Sequence, residues 1–244
     1  MEVHHHPHVE KKNFKEYFLE FLMIFLAVTL GFFAENLREN IADSHKTHQY
    51  AQSLVQDIKI DIEECDEVLS LMGERVKIYD SLLSNLAAHP VLTNKTYYFF
   101  CKTIKYGYFQ ADNKTIDQLK STGSLRLFET GNASDTITSY YQSSFHLVDY
   151  GNTFKKIFDE YHNLAMQVFD YSQVRDMIYQ PERLLDSSLH LELLTDDNKV
   201  IKRAYNELFL LRRITSHYLD EMKDLKEEGT LCVDFLMKQY DIKN

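Results

Sequence analysis

One acidic side chain, Glu20, lies inside an otherwise apolar stretch near the start of the sequence, where its chemistry would be proton transfer. The stretch, residues 17–34, reads YFLEFLMIFLAVTLGFFA. An ionisable group inside a membrane span is costly and often functional, and burial raises the proton affinity of a carboxylate. The alternative is an interfacial role, because Glu20 lies about one turn inside the stretch. There it would reach the headgroup region or pair with Lys15 or Lys12.

A histidine-rich start is the second candidate, since neutral imidazole is a good ligand for transition metals. The histidines are His4, His5, His6 and His8. Ligands on a flexible tail bind a metal weakly and with little selectivity. The alternative is a mildly cationic tail that meets anionic headgroups, more strongly below about pH 6.5. We therefore assign no metal ligand and no cofactor-binding residue.

Two further segments have a possible chemical role. Residues 120–128, KSTGSLRLF, combine a glycine, small hydroxyls and Arg126, a pattern that can hold an anion, although a turn between two helices explains it as well. Aromatic runs at 97–100 and 140–141 would line a ligand pocket or, as we favour, the core or an oligomer surface. No Ser/His/Asp order, paired-carboxylate pattern or phosphate-binding loop is recognisable. We therefore predict no catalytic residue and a protein that is not an enzyme.

The element that must hold Glu20 is a helix over residues 17–34. At about 1.5 Å per residue, a helix of this length reaches across a hydrocarbon core of roughly 30 Å. It is apolar all round, whereas a soluble helix usually shows a polar face. A buried core helix remains an alternative. A cleaved signal peptide is another, disfavoured because Phe32 lies two residues before Ala34, where cleavage requires a small side chain.

Basic residues on either side of the stretch indicate its orientation. Those before it are Lys11, Lys12 and Lys15, and those after it are Arg38 and Lys46. Only basic residues count in this comparison, and a short basic tail before a single span is typical of an uncleaved signal anchor. We therefore predict a cytoplasmic tail at 1–16, a transmembrane helix at 17–34 and a helical domain at 35–244 across the membrane.

The composition predicts an all-α remainder. The 244 residues include only 7 Gly and 3 Pro, and few helix breakers mean few turns and long helices. The net charge of −10, without a basic stripe, argues against nucleic acid as a partner and against flat binding to anionic lipid. Cys65, Cys101 and Cys232 are odd in number, which excludes a complete disulfide framework but leaves one bridge open.

Apolar residues repeat at steps of three and four over residues 44–86, which predicts a long amphipathic helix that ends at His89–Pro90. Further helices are predicted at 94–108, 115–120, 134–178, 200–227 and 231–240. Asp196, Asp197 and Asn198 would cap the helix at 200–227 and Gly229 would end it, while Gly151 would mark a kink. Together these segments predict an antiparallel bundle of three or four long helices attached to the span.

The opening residues 1–39, MEVHHHPHVEKKNFKEYFLEFLMIFLAVTLGFFAENLRE, resemble an uncharacterised family of Bacteroidetes single-pass membrane proteins, a domain of unknown function. Its members share a His-rich basic start, a span of the type EFLMxFLAVxxGFxAEN and a helical remainder. Residues 115–128, TIDQLKSTGSLRLF, are similar to a second shared stretch, xxxQLKxxGxLRLI. The resemblance implies that the histidines at 4–8 are native, and it implies no activity.

These observations predict a membrane-anchored, non-enzymatic protein of the bacterial inner membrane. Its periplasmic helical domain would be a sensor or scaffold in the cell envelope. The expected partners are the lipid bilayer and either a second copy or another membrane protein, because a span that continues into a heptad-like helix favours self-association. The alternative is an accessory subunit of an ion-driven or secretion complex, with Glu20 facing the partner. A third possibility is an enzyme with an unrecognised site.

Overall fold

The computed structural model describes residues 13–88, 94–129 and 132–243, and these residues form helices joined by short connections. The α-helices of these ranges are α1 (Phe14–Met72), α2 (Arg75–Ala87), α3 (Asn94–Thr103), α4 (Lys114–Thr122), α5 (Ala133–Ala165), α6 (Tyr171–Val174) and α7 (Asn198–Gln239). Two 3₁₀ turns cover Ser124–Phe128 and Pro181–Leu185. The described residues contain no β-sheet, only an isolated bridge between Phe169 and Leu193. The predicted all-α class is confirmed.

The chain divides into two compact units, Met1–Gln49 and Tyr50–Asn244. In the first unit, large apolar side chains of α1 are exposed, including Phe21 at 63%, Leu26 at 46% and Phe32 at 75%. An 18-residue window of this helix has a mean hydropathy of 2.1, and none of that window is buried. One helix near the N-terminus is therefore long and apolar enough to cross a membrane. A helix in a protein core would instead be mostly buried.

The second unit has an aromatic core, as the high Tyr and Phe content requires. Its largest fully buried side chains are Tyr79, Tyr97, Tyr140, Tyr141, Tyr161, Tyr218, Phe100, Phe109, Phe128, Phe154, Phe169 and Leu54. The apolar face predicted from the periodicity of residues 44–86 is buried at Leu54, Ile58 and Cys65. The pattern of threes and fours thus identified the helix face that packs in the core.

Helix α7 runs opposite to the helices it packs against. The rings of Phe154 and Tyr218 stack at 5.5 Å, whereas Tyr140, earlier in α5, meets Gly229, later in α7. The same order holds against α1 and α2, where Lys226 bonds Asp66 at 2.6 Å and Arg212 bonds Asp80 at 2.9 Å. As the residue number increases along one helix, the residue number of the contacting partner on the other helix decreases. The paired helices are therefore antiparallel.

Two helix ends differ from the predicted ones in the first half of the second unit. The helix predicted over 44–86 is broken, because α1 ends at Met72 and α2 begins at Arg75. A Cβ at Gly73 would lie 2.8 Å from the carbonyl oxygen of Leu69, so this turn requires glycine. The predicted end at His89–Pro90 lies outside the described residues. Helix α3 ends at Thr103 rather than at 108, and the chain then continues without helix as far as 113.

The last two long helices also differ from their predictions. Helix α5 ends at Ala165, well before 178, because the chain turns there and the carbonyl of Val168 accepts a bond from the N–H of Leu194 at 2.9 Å. Gly151 does not interrupt α5. Helix α7 continues through Gly229, so the predicted end there is wrong, as is the separate helix at 231–240. The predicted cap at Asp197 is confirmed, since its side chain accepts from the N–H of Lys199 at 2.8 Å.

Candidate functional site

The residues for which the sequence predicts a chemical role lie far apart along the chain. Glu20 is half-buried on α1 in the first unit. The histidine tract, residues 4–8, lies outside the described residues. Within the ranges that the structure describes, no three His, Cys, Asp or Glu side chains lie close enough together to hold a metal ion.

The segment 120–128 forms a turn. Helix α4 ends at Thr122, and Gly123 follows in the left-handed conformation with φ of 66°. The Thr122 hydroxyl donates to the carbonyl of Gln118 and to the Ser124 hydroxyl, both at 2.8 Å, so these groups hold the turn itself. Arg126 is exposed. The turn interpretation therefore describes this segment better than an anion site.

The aromatic runs contribute to the core. Tyr97, Phe100, Tyr140 and Tyr141 are buried, and the Tyr97 hydroxyl donates to the carbonyl of Glu192 at 2.6 Å. All three cysteines are buried and free, so none is bridged in this structure. Burial raises the pKa of Cys65 and Cys232 to about 12 and that of Cys101 to about 11. Thiols with such pKa values are protonated at neutral pH and behave as small apolar groups.

Acidic residues of α1 hold the non-helical segment after α3, an arrangement that the sequence did not predict. Three carboxylates, spaced four and three residues apart, accept hydrogen bonds from backbone N–H groups of this segment and of α4. The pairs are Asp57 with Thr115 at 3.0 Å, Asp61 with Asp112 at 2.7 Å and Glu64 with Gln110 at 3.1 Å. Asn113 makes no side-chain cap at the start of α4, so Asp57 caps that helix from outside. We call these three acids the carboxylate row.

Asp61 is the most buried member of the carboxylate row, with 1% of its surface exposed. Burial raises its pKa to about 6, although the bonds from the Asp112 N–H and the Tyr140 hydroxyl oppose that rise. Both carboxylate oxygens are occupied by these bonds. The row therefore acts as a structural clamp.

A pocket of about 290 Å³ lies where α2 and α3 meet the segment 178–181, and it is the strongest candidate for a binding site. The apolar part of the lining, called here the apolar wall, comprises Leu71, Ile78, Ile104, Ile178 and Pro181, and the protonated Cys101 thiol also lines the pocket. The charged side chains of the lining are Glu74, Arg75, Lys102 and Lys105. We call this the α2–α3 pocket. Apolar walls with a few placed polar groups are typical of small-molecule sites.

Arg75 sets the chemistry of the α2–α3 pocket. It is the first residue of α2, immediately after the Gly73 turn, and only 7% of its surface is exposed. Burial lowers the pKa of Arg75, but a guanidinium remains charged in proteins at neutral pH. No described residue forms a hydrogen bond or an ion pair with it. A largely buried cation without an ion-pair partner is the feature of this lining that favours a negatively charged ligand.

Sequence reasoning missed both arrangements. Sequence reasoning left Asp57 and Glu64 outside the apolar repeat of residues 44–86, whereas Asp57 is buried. It assigned no role to Arg75.

Comparisons of the chain with protein-family models, with curated proteins and with solved structures found no match. Two features of the described residues bear on function, the exposed apolar helix and the α2–α3 pocket.

Proposed function

We propose that this chain is a single-span membrane protein whose tyrosine-rich helical unit is a non-enzymatic sensor or scaffold in the cell envelope. The observation that carries the proposal is the exposure of the apolar side chains over residues 17–34. Leu19, Phe25 and Phe33 are 56%, 54% and 69% exposed, and their neighbours are similar. An apolar surface of this extent on a soluble protein would drive aggregation or association. In a bilayer the lipid covers this surface, so neither occurs.

The proposed topology places residues 1–16 in the cytoplasm and residues 35–244, as an antiparallel bundle, in the periplasm of a bacterial inner membrane. Three lysines before the span against two basic residues after it support this direction. The resemblance of residues 1–39 to a family of single-pass membrane proteins supports the anchor. The opposite courses of α7 and its neighbours support the bundle.

Fusion of alkaline phosphatase after residue 244 tests this topology, since that enzyme is active only after export. We expect high phosphatase activity from the full chain and almost none when residues 17–34 are deleted. A green fluorescent protein fusion at the same position should be dark. A bright fluorescent fusion together with an inactive phosphatase fusion would show that the orientation is the opposite of the proposed one.

The second candidate is an accessory subunit of an ion-driven or secretion complex, favoured by the single acid Glu20 within the apolar stretch. Gentle extraction followed by mass determination of the particle separates the two candidates. A particle containing only this chain supports the sensor or scaffold and gives its oligomeric state. A stable hetero-complex that is lost in Glu20→Gln, but kept in Glu16→Gln, supports the accessory subunit.

A further inference from the structure

The α2–α3 pocket holds more positive charge than its own residues neutralise. Among the acids nearby, Glu74 is 74% exposed at its side chain and pairs with Lys77 at 3.0 Å. Glu182 pairs with Lys102 at 3.3 Å, and Lys102 also lies 4.5 Å above the Tyr98 ring. Arg75 and Lys105 have no ion-pair partner in the part of the chain that the structure describes. Two uncompensated cations therefore face one pocket in a chain of net charge −10.

Arg75 is largely buried, and its guanidinium has no ion-pair partner among the described residues, so water in the pocket is its main polar contact. Arg75 presents five N–H donors in a planar fork that matches a carboxylate or a phosphate bidentately. At 7% exposure it cannot turn freely into bulk solvent. An anion that enters the pocket would recover the lost interaction energy, so the position of Arg75 favours an anionic ligand over a neutral one.

The size and the apolar wall of the pocket define the rest of the ligand. A cavity of about 150 Å³ holds a benzene-sized molecule, and this pocket is close to twice that volume. Leu71, Ile78 and Ile178 contribute hydrocarbon to the lining, and Lys105 is exposed at the mouth. A purely polar anion such as inorganic phosphate would leave the apolar wall in contact with water.

The geometry points to a binding site for a small amphiphilic anion, with its carboxylate or phosphate on Arg75 and Lys105 and a chain or ring of roughly six carbons against the apolar wall. This inference deepens the sensor form of the proposed function, since it names the class of molecule that the helical unit would detect. The carboxylate and the phosphate share the same recognition chemistry, and the experiment distinguishes them.

Calorimetric titration of the full chain in lipid nanodiscs tests the site with four six-carbon probes, hexanoate, hexyl phosphate, hexanol and hexylammonium. Empty nanodiscs provide the blank for partitioning into lipid. We expect at least one of the two anions to bind saturably with one site per chain, and hexanol and hexylammonium to bind at least tenfold more weakly. The tighter anion identifies the headgroup class. Absence of saturable binding by both anions, or equal binding by hexanol, would overturn the proposal.

Two variants and a control place the ligand in this pocket. Arg75→Met keeps an unbranched apolar stem and removes the guanidinium, so we expect affinity for the anion to fall at least tenfold while the melting temperature without ligand does not fall. Lys105→Gln, at the exposed mouth, should weaken binding about threefold. Lys155→Gln, an exposed lysine of α5 that does not line the pocket, should leave binding unchanged. Unaltered affinity in both pocket variants would contradict the assignment.

Failure of this site and failure of the proposed function give different results. If the chain is anchored and exported but binds neither anion, only the proposed binding site is refuted. If the chain binds the anion but is not held by a membrane, the proposed anchor is refuted and the binding site stands.

Discussion

The hydroxyl of Tyr140 donates a 2.7 Å hydrogen bond to the Oδ2 atom of Asp61, joining two buried residues that are 79 positions apart. The other oxygen of the same carboxylate accepts from the N–H of Asp112 at 2.7 Å. One side chain of α1 thereby holds both α5 and the segment that leads into α4. Because Asp61 is buried, the state of its proton is coupled to the stability of the second unit.

Asp61 should make the stability of the chain depend on pH between about 4 and 6. Its pKa is about 6 in the folded protein against an ordinary value of 3.8, so the folded state binds this proton more tightly than the unfolded chain. The contribution of Asp61 to the free energy of unfolding is therefore greatest below about pH 4 and is lost as the pH rises through 6. The loss is on the order of 3 kcal/mol.

Asp61→Asn removes that titration, and thermal unfolding of both proteins from pH 4 to pH 7 measures it. We expect the stability of the variant relative to the native chain to improve as the pH rises. Glu63→Gln, an exposed neighbour on the same helix, is the control and should follow the native profile. A difference between Asp61→Asn and the native chain that stays constant with pH would show that Asp61 titrates normally.

Tyr218 should be needed for the segment after α3. Its hydroxyl accepts a bond from the buried N–H of Phe109 at 2.8 Å, and Tyr218→Phe would leave that N–H unsatisfied. An orphaned buried donor costs about 1–3 kcal/mol. We expect the melting temperature to fall by about 3–8 °C, as measured by circular dichroism. Tyr179→Phe, at a side chain that is 85% exposed, should change it little, and equal effects from the two variants would refute the role of this bond.

Gly229 should be required for close packing of α7 rather than for a helix end. A Cβ there would lie 3.1 Å from a ring carbon of Tyr140 and 3.2 Å from Ile62. Tyr140 cannot move away without straining its bond to Asp61, so Gly229→Ala should destabilise the chain by about 1 kcal/mol despite the better helix propensity of alanine.

Gly31→Ala is the matched control for this change, because nothing lies within 4 Å of its added Cβ. Circular dichroism on the full chain in detergent should show a lower melting temperature for Gly229→Ala alone. A melting temperature for Gly229→Ala at or above the native value would show that the helices separate at low cost.

The sequence predicted the elements that depend on long, regular patterns. The apolar run at 17–34 and the repeat over 44–86 were visible because helical periodicity sums over many residues. Helix ends were predicted less well because tertiary contacts decide them. Nothing local distinguishes Gly229, inside a helix, from Gly73, at a break.

The carboxylate row and the α2–α3 pocket could not be predicted from the sequence, because contacts between residues distant in the chain form them. Asp57, Asp61 and Glu64 look like the solvated face of an acidic helix, and only the packing of the segment after α3 makes them acceptors. Arg75 likewise looks like any surface arginine. Its burial depends on α3 and on the segment 178–181, which are distant in sequence.

Alkaline carbonate extraction tests most directly whether residues 17–34 anchor the chain in a membrane. Membranes from cells that express the full chain are compared with membranes from cells that express a variant lacking residues 17–34. Intact mass determination of the extracted protein accompanies it. We predict that the full chain stays in the membrane pellet with its N-terminal segment uncleaved, and that the variant moves to the supernatant. Release of the full chain by carbonate, or a mass that shows cleavage after the apolar stretch, would contradict a single-span anchor.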